Sequence, residues 1–173
     1  MRAVLQRVLS ASVTVDGEVV SSIGPGLLVL VGICATDGAD DARWLAQKIV
    51  KARLFEAPSA EDADAAAGAP GKPWARSVES EGKQALFVSQ FTLYGSFAKG
   101  NKPDLHRAMP PGPAKALYET FLAAARAAVL PPGGDDAAAR EKVKDGVFGA
   151  NMQVALVNDG PVTMLLDSQD RKG

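Results

Sequence analysis

The chain has 173 residues, 47% of them hydrophobic, with one cysteine and a formal net charge of −1. That length suits one domain with a real core. The near-zero charge argues against a protein held on nucleic acid by bulk charge, and a lone cysteine excludes an internal disulfide.

The start, Met1-Arg2-Ala3-Val4-Leu5-Gln6-Arg7, turns polar too soon for a secretory signal. In residues 2–9, Val4, Leu5, Val8 and Leu9 fit either a strand or a helix. The next stretch is plainer. Ala11, Val13 and Val15 alternate with Ser10, Ser12, Thr14 and Asp16, the pattern of a half-buried strand. Asp16-Gly17 marks a tight hairpin turn, because primed turns need positive φ, and Val19 and Val20 return on the second arm. After Gly24-Pro25-Gly26, residues 27–33 read as a strand buried on both faces. The longest apolar run, 27–31, is far short of a bilayer span, so the expectation is a soluble, cytoplasmic protein. Cys34 closes that stretch and reads as a buried structural thiol.

Residues 39–54 predict a helix. The acidic stretch 37–41 supplies capping and favourable charge at its start. Ala42, Leu45, Ile49 and Ala52 recur at helical spacing, with Lys48, Lys51 and Arg53 toward the end. Residues 56–71 and 131–139 are low-complexity inserts rich in Ala, Asp, Pro and Gly, and predict surface loops. Residues 85–91 alternate and read as a strand. Pro113 suits a first helical position, and Ala114, Leu117, Tyr118, Phe121, Leu122 and Ala125 form an apolar helical stripe. Pro131-Pro132-Gly133-Gly134 ends that helix. Met152, Val154 and Leu156 alternate with polar or small residues, as do Val162, Met164 and Leu166 with theirs. Asn158-Asp159-Gly160-Pro161 between them predicts the turn of a closing hairpin. The whole chain therefore predicts one α/β domain over 1–173, a mixed sheet or partial barrel with two main helices packed on it.

Catalytic signatures are scarce. No phosphate-binding glycine loop, H-E-x-x-H, C-x-x-C or G-x-S-x-G occurs. His106, the only histidine, lies in the polar stretch Gly100-Asn101-Lys102-Pro103-Asp104-Leu105-His106 and reads as solvated. One histidine and one cysteine do not make a transition-metal site. Carboxylates are able in principle to hold Mg²⁺, but no metal or cofactor is expected. Two polar clusters stand at the ends of apolar strands: Ser89-Gln90-Phe91-Thr92 and Asn158-Asp159-Gly160-Pro161-Val162-Thr163. A sheet holds such groups rigidly, as a site requires. On spacing alone, Ser89 and Thr92 are ordinary strand residues and Gly160-Pro161 an ordinary turn.

The chain closely resembles the D-aminoacyl-tRNA deacylase family. Arg2-Ala3-Val4-Leu5-Gln6-Arg7-Val8 with Ala11-Ser12-Val13 is similar to the family's start. Ile23-Gly24-Pro25-Gly26-Leu27-Leu28-Val29-Leu30-Val31-Gly32 is similar to its second block. Ser89-Gln90-Phe91-Thr92-Leu93 and Asn158-Asp159-Gly160-Pro161-Val162-Thr163 match its two signatures, and Gly146-Val147-Phe148-Gly149-Ala150 the stretch between. Gly71-Lys72-Pro73-Trp74-Ala75-Arg76-Ser77-Val78 and Lys99-Gly100-Asn101-Lys102-Pro103-Asp104 look like eukaryotic members. The two inserts depart from the pattern. Some eukaryotic relatives carry a long tail linked to DNA replication. This chain stops soon after Asp167-Ser168, so DNA is not an expected partner.

The resemblance implies a homodimeric hydrolase acting on aminoacylated tRNA. It implies a cis Gly160-Pro161 whose carbonyls enter the partner subunit's active site and reject L side chains, so that D-aminoacyl and glycyl esters pass. It places the chemistry at Ser89, Gln90, Phe91 and Thr92, with backbone N–H groups around Phe91 and Thr92 holding the oxyanion. The ribose 2′-OH then helps activate water. A Thr92 nucleophile is the alternative, but it needs a base that the sequence does not show. Phe91, Phe148 and Met152 are candidates to hold the terminal adenine, with Thr163 as a further substrate-binding residue; plain core packing is the other reading of Phe91 and Met152. Lys72, Arg76, Lys99, Lys102 and Arg107 are either a basic rim for the tRNA stem or solvated loop charges. Two other functions remain open: a nucleic-acid-binding module, which a basic tail would mark, and a hydrolase of some other small ester.

Overall fold

The computed structural model describes residues 1–57, 71–130 and 133–171. The ambiguous start is strand: β1 runs Arg2–Val15. Asp16 and Gly17 take φ of 51° and 84°, as a primed turn needs, and β2 (Glu18–Ile23) returns antiparallel. β3 (Gly26–Gly32) lies antiparallel along the first half of β1. It pairs parallel with β6 (Gln84–Ser89), which pairs parallel with β7 (Val143–Asp145). β8 (Gln153–Asp167) runs antiparallel along the other edge of β1 for nearly its whole length. The order β2-β1-β3-β6-β7 curls until β2 approaches β6 and β7, so the sheet nearly closes as a barrel. A separate ribbon pairs β4 (Phe55–Ala57) with β5 (Lys72–Arg76).

Two cores follow from the alternation of β3 and β6. Leu27, Val29, Val31, Ala85 and Phe87 face the helices α1 (Ala39–Val50) and α3 (Pro111–Val129), between which the one-turn α2 (Val78–Glu81) leads into β6. Leu28, Leu86 and Val88 face the barrel interior with Val8, Ala11, Val13 and Ile23, where Met152, Val154 and Leu156 close the packing. Both strands are therefore covered on both sides, which is why 27–33 reads as continuously apolar. Phe121 of α3 meets Phe87 edge-to-face at 5.2 Å between centroids, locking helix to sheet.

Several sequence expectations need correction. The helix predicted over 39–54 stops at Val50, because Leu54 and Phe55 turn into the β4–β5 ribbon. The stretch 37–41 does supply the cap and the first-turn charge, through Asp40 and Asp41, whose carboxylate accepts from the N–H of the N-cap Gly38 at 3.0 Å; Asp37 instead accepts from Cys34 N–H at 2.6 Å. The strand predicted over 85–91 ends at Ser89 and is buried on both faces rather than alternating. Pro111, not Pro113, opens α3; all of Pro110, Pro111 and Pro113 fit a first turn whose N–H groups lack helical acceptors. Within the predicted insert 131–139, a short helix α4 (Asp136–Lys142) starts where Asp135 accepts from Ala137 N–H. Of the insert 56–71, residues 58–70 lie outside the described residues; residues 56 and 57 belong to β4. Cys34 is only half-buried, since the chain leaves the sheet at Gly32 and meets Ala108 in an isolated bridge.

The largest correction concerns the closing hairpin. Residues 153–167 form one strand, not two. Gln6 pairs with Thr163 and Val8 with Asn158, so residues 159–162 bulge opposite the single residue Arg7. The turn chemistry is real, but β1 is long enough to pair with both arms, and the excess leaves the ladder as a bulge.

Candidate active site

The parallel strands β3 and β6 end side by side, tied by Gln90 N–H donating to Val31 O at 2.8 Å. Gln90 leaves the ladder, and a 3-10 turn (Phe91–Tyr94) begins. Its first acceptor is the Gln90 carbonyl, which takes Leu93 N–H. The turn itself therefore leaves the N–H groups of Phe91 and Thr92 free. Beside them lies a cavity of about 630 Å³. Ser89, Gln90, Phe91, Phe148 and Met152 all line it, so the structure brings together most residues of the first signature and both downstream candidates. Thr92 stands one step behind: its hydroxyl accepts from Gln90 Nε2 at 2.5 Å. Phe91 is 58% exposed, a position at odds with the core reading.

The opposite wall is the segment 146–152. A Cβ on Gly146 would come within 2.7 Å of Met152 Sδ, so glycine lets Met152 close on the strand. Gly149 has φ 79°, which turns the chain after Phe148. The Phe148 ring rests on Tyr118 at 5.6 Å, half-buried between core and cavity. Among the described residues the buried Tyr118 hydroxyl has no partner, and burial raises its pKa far above the ordinary phenol value. Arg126 of α3 donates to Asp145 at 2.8 Å, anchoring the strand that leads into this wall. Asn151 and a third wall from Leu105 to Pro111 also line the cavity. Sequence reasoning missed these. The third wall arrives through Ala35 N–H to Arg107 O (3.1 Å) and Met109 N–H to Ile33 O (2.9 Å), backbone contacts without a sequence pattern.

Among the described residues, no titratable side chain lines the cavity. His106 is not there. It is 94% exposed, with Nδ1 2.5 Å from Asp104 Oδ1. The backbone N–H of His106, and then its ring, hold the Asp104 carboxyl below the usual range. The chemistry on offer is backbone N–H groups, the Ser89 and Asn151 side chains, and an apolar, half-enclosed volume.

Gly160, Pro161 and Thr163 do not line this cavity. The Gly160-Pro161 bond is cis and exposed. The corner sits beside Arg7, opposite Leu27 at the start of β3, whereas the cavity lies past Val31 at its end. Four residues of strand separate the two, roughly 13 Å. Arg7 fixes the corner: its Nε pairs with Asp159 Oδ2 at 3.0 Å, and Nη1 donates to Leu54 O at 2.8 Å. Asn158 fixes it from inside, accepting from Val162 N–H at 2.9 Å and donating to Thr163 Oγ1 at 3.2 Å. Thr163 therefore holds the corner's shape. Gly160 has φ 119°, and a Cβ there would meet Val162 Cγ2 at 2.8 Å and Arg7 Nη2 at 3.0 Å. The basic residues also divide. Lys72 and Arg76 lie on β5, while Lys99, Lys102 and Arg107 lie in the segment before α3.

Known proteins match this arrangement over nearly its whole length. A family model described as D-Tyr-tRNA(Tyr) deacylase matches residues 4–167. A D-aminoacyl-tRNA deacylase of Yarrowia lipolytica is 47% identical over 172 residues, covering 99% of this chain and 100% of the relative. A solved structure named c-Myc DNA Unwinding Element Binding Protein is 44% identical, with a TM-score of 0.80 over 96% of this chain and 98% of that one. Another, of a probable eukaryotic D-amino acid tRNA deacylase, is 19% identical with a TM-score of 0.73 over 95% and 97%, and shows the fold alone. On the family match and the end-to-end identity, the chain belongs to the D-Tyr-tRNA(Tyr) deacylase family of hydrolytic enzymes.

Proposed function

We propose that this protein hydrolyses the ester joining a D-amino acid to the 3′ end of tRNA, as a homodimer whose two sites each draw on both chains. The observation that carries the reading is the separation of the two signatures. The cavity beside Phe91 and Thr92 lies at the end of β3, and the exposed Gly160-Pro161 corner lies on β8, level with the start of β3, which supports a corner that serves a cavity in a second copy. A two-fold interface makes that exchange reciprocal and yields two sites. The long outer edge of β8, with Val157, Met164 and Leu165 exposed, is surface for such contact.

In this reading the terminal adenosine lies against Phe91, Phe148 and Met152. Water attacks the ester carbonyl, and the N–H groups of Phe91 and Thr92 hold the oxyanion. The ester's 3′ oxygen leaves with a proton, giving free amino acid and tRNA. The ribose 2′-OH of the substrate orients the water, since among the described residues the cavity supplies no base. Carbonyls of the partner's corner occupy the space an L side chain would need, so discrimination is a clash against the wrong ester. Glycyl-tRNA carries no side chain and passes. No helix among the described residues is long and apolar enough to cross a membrane.

One structural relative is named for a DNA element. Here a net charge of −1 and an apolar cavity suit an end-bound ester better than a duplex held by many phosphate contacts. The test is release of tyrosine from D-Tyr-tRNA and L-Tyr-tRNA. Rapid release of the D form alone supports the reading. Release of neither overturns it, and equal release from a free aminoacyl ester moves the protein to small-ester hydrolysis.

A further inference from the structure

Trp74 is a bulky residue held at φ 55°, in the left-handed region that such side chains rarely enter, and it is 55% exposed. It contributes nothing to either core. The fold nevertheless builds its support with care. Gly71 lets β5 close on β4, since a Cβ there would sit 2.1 Å from Ala57 O. Arg76 pairs across the ribbon with Phe55. The φ of Trp74 falls where β5 bulges past Glu56, and an exposed aromatic held in a strained conformation at that bulge points to a binding role.

Its surroundings say what it would bind. Lys72 and Arg76 flank it on the same strand, and Arg76 borders a groove with Lys51 and Arg53 from the end of α1. The nearby acids are Glu56, across the ribbon on β4, with Glu79 and Glu81, the last 3.6 Å from Arg76. An aromatic face among cations suits an unpaired nucleotide, with the ring stacked on a base and the cations along the phosphates. The ribbon's place in the molecule narrows this further. Arg7 donates to Leu54 O, one residue before β4, and the same guanidinium holds Asp159. Arg7 therefore ties the root of the ribbon to the Gly160-Pro161 corner.

We propose that Trp74 is a stacking platform for an unpaired nucleotide at the 3′ end of the tRNA, just 5′ of the terminal adenosine. This rests on the reading above. A corner that enters the partner's cavity would carry the ribbon, tied to it through Arg7, toward that cavity's mouth, where Trp74 would meet the strand leaving it.

The test uses tryptophan fluorescence with two RNA hairpins of acceptor-stem length, one ending in four unpaired 3′ nucleotides and one blunt. The overhanging hairpin quenches the wild-type protein saturably, the blunt one does not, and Trp74→Phe, which leaves Trp44 as reporter, abolishes the quenching. In filter binding, Trp74→Ala weakens the overhanging hairpin about tenfold, while Trp74→Phe, which still stacks, stays within about threefold. Quenching that survives Trp74→Phe, equal quenching by the blunt hairpin, or unchanged binding in Trp74→Ala overturns the proposal. Hydrolysis of D-Tyr-tRNA is followed in the same preparation. Hydrolysis without quenching refutes the platform alone, and quenching without hydrolysis refutes the deacylase reading alone.

Discussion

The cavity and the 158–163 corner are built by opposite means. The cavity rests on strands buried on both faces, on Phe87 against Phe121, and on a ring-on-ring contact between Phe148 and Tyr118. The corner is exposed and keeps its shape through two polar side chains, Arg7 and Asn158, whose bonds water can replace. A packed wall cannot be altered without touching the core. A polar staple can be removed with the fold intact. In the proposed mechanism binding volume and selectivity are thus separable, and substitutions should separate them.

The bluntest break is Phe121→Ala, which removes a fully buried ring and costs about 3–5 kcal/mol of stability. Unfolding midpoint and deacylation should fall together. Gly160→Ala should uncouple them. Its Cβ clashes with Val162 and Arg7 at a φ only glycine tolerates, so in the proposed dimer the displaced corner crowds the partner's cavity and misplaces the accepted ester, and kcat/KM on D-Tyr-tRNA falls by about 100-fold. The stability change stays within about 1–3 kcal/mol. Asn158→Ala frees Val162 N–H and loosens the corner, for about 1–2 kcal/mol and roughly tenfold in activity. Asn158→Asp keeps that acceptor and should lose less.

The pattern also shows what the sequence made legible. β3 and the stripe of α3 were readable because burial alone sets their periods. Residues 158–161 were misread as a hairpin because turn chemistry is local, whereas the length of β1 and the grip of Arg7 are not. α4 hid inside an insert-like composition, although Asp135 is an ordinary cap. For the cavity, Ser89, Gln90, Phe91, Phe148 and Met152 followed from the family motifs. Asn151 and residues 105–111 did not, because backbone pairing with Ile33 and Ala35 brings them in.

Acid should act on the shared scaffold more weakly. Burial alone would raise the Asp167 carboxyl, but the Arg2 guanidinium at 2.8 Å and Gln169 N–H hold it below its ordinary value. A depressed carboxylate contributes stability above the unfolded pKa of about 3.9, lost as pH falls through the lower folded value. The melting midpoint should therefore drop below about pH 4, and less so in Arg2→Ala. The smallest effect belongs to His106. It lies outside both regions, so His106→Ala should leave deacylation within about twofold, separating this site from histidine-based ester hydrolysis.

The most direct test of the shared site is a mixed dimer. One chain carries Gly160→Ala, and the other carries Ala150→Trp, which fills the cavity that Ala150 lines. Two tags allow the heterodimer to be purified away from both inactive homodimers. If each site joins one chain's corner to the other chain's cavity, one site carries both lesions and the other carries neither. The heterodimer then recovers about half of wild-type D-Tyr-tRNA deacylation. If corner and cavity serve the same chain, both sites are damaged, and a heterodimer as inactive as its parents would contradict the account.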